Sequence, residues 1–389
     1  MAGWQTESIA GSNGAGYSTS PPSGNAGGAR EPVDTTVLCS FSEDYMQTRS
    51  MRTPQYSWFL GAFAVVVGFF LEGCASSQMR VESKGVFTEK PSNVLVYFSV
   101  TEPDQTVTDL TAEDFQIYED GTLVPADHSG QVLLDKDLAR AHRTLVLVDF
   151  SAATDDEIRN ELASALTFFV GLVRKTQPVL IYAFDGREHL RLVADLPEQA
   201  ESSDPQQRFF QKLLPADASR NLNGAILEGI GKMDQAYERS GTPLRAGTVV
   251  VFSGGPDLAG RVTDSAVQAA INATDYTFLA VGIGDSAPRL KRYGRDGFVD
   301  AHSAQTVSMA FEEAGHLVEA DYAQHYLLSY CSPARAGTRQ LRIDVVRSGV
   351  GVVGSGQFGS FDADGFTEGC DAKAPPRIET KVTAPAKGE

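Results

Sequence analysis

The chain has 389 residues, of which 42% are hydrophobic and 21% are charged, and its formal net charge is -17 at pH 7. This composition is typical of a globular protein, and the length accommodates one domain of about 200 residues with flanking segments. The negative charge argues against a surface that binds nucleic acid or anionic lipid, because phosphate recognition depends on clustered lysine and arginine.

The first part of the chain divides into two segments by composition. Residues 1–50 are rich in Gly, Ser, Thr and Ala, and we predict disorder because they cannot bury enough apolar area to offset the entropy of ordering. Residues 51–73 contain Arg52 and then an uncharged run from Trp58 to Leu71. This run is short for a bilayer span of about 20 residues, and it fits the hydrophobic region of a signal sequence.

The signal-like segment ends in the motif LEGC, which closes on Cys74. The motif resembles the lipobox of bacterial lipoproteins, although Glu72 stands where a small residue is usual. The resemblance implies an exported protein, anchored in the cell envelope by lipid on Cys74, with the outer membrane as the expected location. Because a signal lies at the start of a chain, we expect translation to begin at Met46 or Met51. A single-pass anchor or an uncleaved signal is the alternative.

Residues 92–140 are predicted to form an N-terminal β segment. NVLVYFSV has the two-residue period of a strand, and FQIYEDG continues it with a hairpin turn at Asp120 and Gly121. We expect a small antiparallel sheet here.

Residues 142–322 alternate between strand and helix patterns. LVLVDF is a near-continuous apolar run, as expected of a parallel strand that is covered on both faces. An amphipathic helix follows, with Leu162, Leu166 and Phe169 at helical spacing. The alternation recurs through TVVVF and TFLAVGIG to a last helix. The predicted fold class is therefore α/β, with a doubly wound and mostly parallel sheet.

Residues 323–362 return to alternating strand patterns. We predict that this C-terminal β segment pairs with residues 92–140, so that one antiparallel module is built from both flanks of the α/β domain. Residues 372–389 are rich in Pro, Ala and Lys, and they are predicted to form a loose tail.

Cys331 and Cys370 are the cysteines of the predicted folded part. In an exported protein they are a candidate disulfide, which would stabilise the fold by about 3 to 4 kcal/mol. Two independent thiols are the alternative, because sequence does not prove connectivity.

Several motifs, in this order, resemble the von Willebrand factor A-type domain family, and in particular its exported bacterial members with flanking β segments. They are LTAEDFQIYEDG, LVLVDFSAA, NLNGAILEGI, VVVFSGG and YLLSYCSP. The resemblance covers about Asn93 to Phe361, and it implies an A-type domain at residues 142–322. Ligands of such folds lie at the carboxyl ends of the strands.

The family's metal site binds Mg²⁺ or Mn²⁺ through an Asp-x-Ser-x-Ser loop, a Thr from a second loop and an Asp from a third. Carried onto this chain, the resemblance implies a remnant at Asp149 and Ser151. The other positions are occupied by Ala153, Arg220 and Gly254. One carboxylate and one hydroxyl do not hold a hard dication against water, so we expect no cofactor.

Arg220 stands where the family has threonine. We expect its guanidinium to pair with Asp149 and to supply the positive charge itself. The alternative is a register shift in which Ser219 replaces the threonine and Asp257 supplies the missing acid, which would preserve a Mg²⁺ or Mn²⁺ site.

These inferences favour a lipid-anchored envelope protein that binds an unidentified protein partner without metal. Its predicted binding face consists of Asp149, Ser151, Arg220 and Ser253. The alternatives are a scaffolding envelope protein with no ligand capture and a metal-dependent adhesion-type receptor. No nucleophile elbow or HExxH motif occurs, so an enzyme is not expected.

Overall fold

The computed structural model describes residues 79–103, 105–153, 156–198, 217–374 and 376–378. The predicted disordered segment 1–50, the leader 51–73 with Cys74, and most of the tail 372–389 lie outside the described residues. Within the described ranges, no helix combines the length and the apolar character that a membrane crossing requires.

Two β-sheets organise this part of the chain. The strands are β1 (Met79–Glu89), β2 (Asn93–Thr101), β3 (Phe115–Glu119), β4 (Thr122–Val124), β5 (Val132–Leu134), β6 (His142–Asp149), β7 (Val179–Phe184), β8 (Arg191–Leu196), β9 (Ala246–Ser253), β10 (Thr277–Ile283), β11 (Gly297–Ala301), β12 (His325–Cys331), β13 (Thr338–Arg347) and β14 (Gly351–Asp362). The α-helices are α1 (Ala126–Ser129), α2 (Asp156–Val173), α3 (Leu222–Ser240), α4 (Asp264–Ala273) and α5 (Ala304–Ala323). Short 3₁₀ helices lie at Ala112–Asp114, Lys136–Ala139 and Ala287–Tyr293.

The α/β sheet has the strand order β11-β10-β9-β6-β7-β8. The chain starts at β6, winds outward to β8, and then crosses to β9 and winds to the other edge, which is the doubly wound arrangement. The prediction of a mostly parallel sheet is confirmed in part. All neighbouring strands are parallel except β8, which is antiparallel to β7. A short connection of six residues, 185–190, joins these two strands, and only antiparallel strands permit such a tight link.

Helices cover both faces of the α/β sheet. Successive residues of a strand point to opposite faces. Val146 and Val148 of β6 therefore pack in one core with α2 and α5, whereas Leu145 and Leu147 pack in a second core with α3 and α4. This two-sided burial explains why β6 is apolar at consecutive positions.

The outer sheet has the strand order β4-β3-β13-β14-β1-β2-β12-β5. It differs from the predicted small antiparallel module in two ways. It has eight strands, and β1 pairs with β14 in parallel, so the sheet is mixed. The sheet also includes β1, which begins at Met79, ahead of the predicted start of the β segment at residue 92. This strand was not predicted because its charged and apolar residues do not alternate regularly. Segments from both sides of the α/β domain meet where β12 pairs with β2 and β13 with β3.

The outer sheet curls over to enclose its own core. Phe98 on β2 contacts Phe115 on β3 edge to face, with ring centroids 5.3 Å apart, although several strands separate the two in the sheet. The opposite face of β2 carries Leu95 and Tyr97, which pack with Leu244 and Ala246 at the start of β9. The strand β2 is therefore buried on both faces and joins the two sheets.

Cys331 and Cys370 form a disulfide, with Cα atoms 5.8 Å apart and a sequence separation of 39. The predicted pairing is confirmed. The bond ties the end of β12 to the segment that follows β14.

Candidate functional site

The site lies where the chain crosses between the two halves of the α/β sheet. The strands β6 and β9 are parallel neighbours, so their carboxyl ends lie side by side, and ligands of open α/β sheets bind at such a switch point. Asp149 is the last residue of β6, and Ser253 is the last residue of β9. Arg220 directly precedes Asn221, the N-cap of α3. The topology thus brings together three segments that are distant in sequence.

Asp149 accepts hydrogen bonds on both carboxylate oxygens. Its Oδ1 accepts from the backbone N–H of Ser151 at 3.0 Å and from the Ser151 hydroxyl at 2.6 Å. Its Oδ2 accepts from Arg220 Nε, and it lies 3.0 Å from both the Ser253 hydroxyl and the backbone N–H of Gly254. Asp149 is 0% exposed. The carboxylate is thus fully buried and surrounded by donors.

Arg220 is itself buried, with 3% of its surface exposed. Besides the bond to Asp149, its Nη1 lies 3.4 Å from the carbonyl oxygen of Pro256. A Cβ atom at Gly255 would lie 2.8 Å from this Nη1, so the glycine leaves the space that the guanidinium occupies. The loop after β9 therefore fits around the arginine side chain.

The backbone of Arg220 holds the same loop. Its carbonyl oxygen accepts from the N–H groups of Leu258 at 2.8 Å and Ala259 at 2.9 Å. Because both the side chain and the carbonyl of Arg220 contact residues 254–259, this loop closes over the ion pair and excludes it from solvent.

The residues present do not fit an octahedral Mg²⁺ or Mn²⁺ site. Both oxygens of Asp149 already accept hydrogen bonds, Ala153 offers no side-chain oxygen, and a guanidinium occupies the position of a ligand. A hard dication requires several oxygen ligands and enough negative charge to offset its lost hydration. Among the described residues, no group of three His, Cys, Asp or Glu side chains is arranged to hold a metal ion.

Asp257 and Ser219 serve local roles that differ from the register-shift alternative. The two oxygens of Asp257 accept from the backbone N–H groups of Asn223 at 3.1 Å and Gly260 at 2.7 Å, so this carboxylate caps the start of α3. The backbone N–H of Ser219 donates to Asp217 at 2.8 Å, and this bond lowers the pKa of Asp217. Asp257 is thus directed at a helix terminus and not at Asp149, which differs from the position that the register-shift alternative gives it.

The predicted binding face also requires correction. Asp149, Ser151 and Ser253 are 0% exposed, and Arg220 is nearly as buried, so these side chains form a floor beneath the surface. The exposed surface above them includes Ala152, Ala153 and Leu258. Leu258 is 56% exposed.

Two buried residues of this region were not predicted from the sequence. Asp185, just after β7, is 2% exposed and accepts from the backbone N–H of Arg187 at 2.9 Å. Asn221 is 3% exposed, and its backbone N–H donates to the carbonyl of Asp185 at 2.9 Å. Asp185 could have been predicted, because it ends the strand-like run QPVLIYAFD. Asn221 could not, because an asparagine before a helix is an ordinary N-cap.

No protein-family model matches the chain, and no curated protein matches it. Solved structures that are similar to parts of it include a von Willebrand factor type A protein from Catenulispora acidiphila, with 12% identity over 79% of this chain and 78% of that chain, at a TM-score of 0.38. Another is the vWF domain of the type V pili tip protein Mfa5 from Porphyromonas gingivalis, with 11% identity over 46% of this chain and 95% of that chain, at a TM-score of 0.32.

A third similar structure is proximal thread matrix protein 1 from the mussel byssus, with 14% identity over 46% of this chain and 48% of that chain, at a TM-score of 0.37. The chain thus spans about half the length of that mussel protein. By its motifs and its own strand order, the chain resembles the von Willebrand factor A-type family, and proteins named for that family are among these solved structures.

Proposed function

We propose that this protein is a lipid-anchored component of the bacterial cell envelope that binds another protein through its A-type domain, without a metal ion and without enzymatic activity. Cys74, at the end of the lipobox-like motif, is the proposed point of lipid attachment. The outer membrane is the proposed location.

The buried contact between Asp149 and Arg220 is the observation that supports metal-independent binding. A-type domains that bind a cation leave their aspartate available to it. Here the guanidinium supplies the charge that a cation would supply, and the backbone carbonyl of Arg220 holds the loop after β9 in place. The loop after β9 is thus held by the chain's own residues, which favours a preformed binding surface.

The proposed contact surface is the strand-end face, which we define as Ala152, Ala153, Leu258 and Ala259. Leu258 projects an exposed apolar side chain, while its backbone N–H is fixed to Arg220 at 2.8 Å. An apolar side chain on a rigid backbone is well suited to fill a pocket on a protein partner, because little conformational entropy is lost on binding.

Capture of envelope proteins on the purified full-length chain tests this proposal. We expect Leu258→Asp to abolish capture of the partner. Val352→Asp is the matched control, since Val352 is also 56% exposed but lies on β14 of the outer sheet. Capture should persist in EDTA. Equal capture by both variants would contradict the strand-end face, and loss in EDTA would favour a metal-dependent receptor.

The absence of any captured partner would favour the scaffolding role. Intact-mass analysis of the native membrane form tests the anchor separately, because lipid on Cys74 and removal of the preceding residues change the mass in a defined way. An unmodified chain that retains residues 51–73 would contradict lipid anchoring.

A further inference from the structure

The hairpin that joins β13 to β14 ends in an exposed apolar turn, which we call the hairpin tip and define as residues 348–352. Val350 is 69% exposed, which is the largest value for any large apolar side chain in the described part of the chain, and Val352 is 56% exposed. Residues 348–361 contain no charged side chain. The hairpin tip therefore combines apolar exposure with an uncharged sequence.

The base of the hairpin holds the tip in a tight turn. The N–H of Val350 donates to the carbonyl of Arg347 at 3.1 Å. Gly349 and Gly351 have φ values of 79° and 98°, which residues with a side chain rarely adopt. At the base, Arg347 donates to the two carboxylate oxygens of Asp109 at 2.7 and 3.0 Å. The two valines thus project from a backbone that is held by its own hydrogen bonds.

The strand β1 begins at the same end of the outer sheet as the hairpin tip. It is parallel to β14, and Met79 pairs with Gly354. A Cβ atom at residue 354 would lie 2.7 Å from the Met79 carbonyl oxygen, so the glycine allows the two strands to approach closely. At a rise of about 3.3 Å per residue, Gly354 lies about 10 Å from Gly351. The start of β1 is therefore held close to the hairpin tip.

The proposed lipid is attached a short distance ahead of β1. Cys74 precedes Met79 by five residues, and five residues span at most about 18 Å. A lipid on Cys74 therefore keeps the start of β1, and the end of the sheet that carries the hairpin tip, near the membrane. Such a tether raises the local concentration of the tip at the bilayer, so a small apolar contact is enough to bind there.

The charges near the hairpin tip favour a zwitterionic lipid surface. Arg347 is paired with Asp109, and Arg80 on β1 lies 2.6 Å from Glu82. The net charge of -17 repels anionic headgroups. Because the tip itself carries no charge, it enters a headgroup layer without the cost of burying an ion. The attraction to the membrane is therefore apolar and not electrostatic.

We propose that the hairpin tip inserts Val350 and Val352 into the headgroup layer of the membrane that carries the Cys74 lipid. The lipid and the tip then form two points of attachment at one end of the outer sheet, and together they restrict the orientation of the protein on the membrane. This inference rests on the lipid anchor of the proposed function, and it adds a second membrane contact to that anchor.

Fluorescence of a single tryptophan tests the proposal. Trp4 and Trp58, the two tryptophans of the chain, precede Cys74, so the lipid-bearing chain that starts at Cys74 contains neither. We prepare Val350→Trp in this form, verify the lipid by intact mass and reconstitute the protein into phosphatidylcholine vesicles. Brominated acyl chains should quench its emission about twofold, because a residue in the headgroup layer lies within about 10 Å of the acyl region.

Leu123→Trp is the matched control. Leu123 is 46% exposed and lies on β4 of the same sheet. Through β3 and β13 it is in register with Gln357, six residues along β14 from Gly351. At this position, about 20 Å from the start of β14, the emission should not respond to the brominated lipid.

A second substitution locates the contact. Val352→Asp, added to Val350→Trp, should abolish the quenching, because a carboxylate at the tip would have to lose its hydration. Leu258→Asp, added to Val350→Trp, should leave the quenching unchanged. Val352 and Leu258 are both 56% exposed, so neither substitution disturbs a core, and circular dichroism verifies the fold.

The proposal is overturned if Val350→Trp is not quenched in a chain whose mass includes the lipid, if Leu123→Trp is quenched equally, or if Val352→Asp has no effect. Loss of partner capture in Val352→Asp would assign the hairpin tip to a protein partner and would also overturn it. A chain without lipid on Cys74 would refute the anchor and this proposal together. A lipid-bearing chain with an unquenched tip would refute the second membrane contact alone.

Discussion

Arg220 Nε donates to Asp149 Oδ2 in a buried ion pair that links the end of the first strand of the α/β sheet to the start of α3. The same arginine holds the loop after β9 through its carbonyl oxygen. One residue therefore contacts three segments of the chain at this edge of the sheet.

Loss of the guanidinium should destabilise the fold strongly. Arg220→Met leaves the buried Asp149 carboxylate without its counter-charge, and we expect the free energy of unfolding to fall by about 3 to 5 kcal/mol. Urea denaturation followed by circular dichroism measures the loss. The double variant Asp149→Asn with Arg220→Met should recover part of it, because neither charge is then buried alone.

The control for this measurement is an ion pair of similar chemistry near the surface. Arg245 and Asp234 lie 3.2 Å apart, and both side chains are roughly half exposed. Arg245→Met should cost about 1 kcal/mol or less. Equal losses in Arg245→Met and Arg220→Met would mean that the buried pair has no special role.

The metal site should be recoverable by substitution. We expect the unmodified chain to give no heat of binding with Mn²⁺ in isothermal titration. The variant Ala153→Ser, Arg220→Thr and Gly254→Asp restores the ligand types of the family motif, and it should bind Mn²⁺ because it adds oxygens and removes the competing cation. Manganese binding by the unmodified chain, with anomalous density beside Asp149, would refute the assignment of Arg220 as the substitute for a cation.

The sequence predicted which residues pair in this site, but it did not predict which residues form the exposed surface above them. Arg220 stands at a ligand position of a recognisable motif, so electrostatics alone suggests a bond to Asp149. The closure of the loop after β9 depends on backbone N–H groups of Leu258 and Ala259, which every residue type except proline carries. No side-chain pattern reveals such bonds, and for this reason the predicted face proved to be a buried floor.

The strands also differ in how well the sequence predicts them. The strands β6 and β9 are apolar at consecutive positions because both of their faces are buried, and this pattern is legible in the sequence. The strand β1 alternates buried and exposed residues only at its start. A register shift between Ser83 and Gly85 interrupts the pairing with β2, so the two-residue period is lost and the strand could not be predicted.

Two buried histidines should make stability depend on pH. His142 at the start of β6 and His325 at the start of β12 lie with ring centroids 4.6 Å apart. Burial lowers the pKa of His142 well below its usual value, and the neighbouring His325, Lys136 and Lys84 lower it further. Burial also lowers the pKa of His325, against the opposing effect of Asp321. Tyr97 and Tyr322 complete the surroundings and stay neutral.

The sign follows from the direction of these shifts. Below the unfolded pKa of about 6.5, the unfolded chain binds protons that the folded chain does not, so the free energy of unfolding falls as the pH decreases. The slope should approach about 1.4 kcal/mol per pH unit for each histidine that stays neutral. Above the unfolded pKa, the two histidines no longer lower the free energy of unfolding.

Denaturation at a series of pH values measures this slope. His142→Gln keeps an acceptor for the Tyr97 hydroxyl, which contacts His142 Nε2, and it should be less sensitive to acid than the unmodified chain. His128→Gln, at a position with a 76% exposed side chain, should keep the full slope. An unchanged slope in His142→Gln would show that the histidine pair does not govern the acid response.

Reduction of the disulfide should lower the free energy of unfolding, mainly because the unfolded chain gains conformational entropy. The bond closes a loop with a sequence separation of 39, and loop-closure entropy for this length predicts a loss of about 4 kcal/mol in the free energy of unfolding. The double variant Cys331→Ala with Cys370→Ala, compared with the oxidised chain in urea, measures this loss. Reductant should lower the stability of the unmodified chain by the same amount and leave the double variant unaffected. A variant as stable as the oxidised chain would mean that the cores on either side of the bond already hold these segments together.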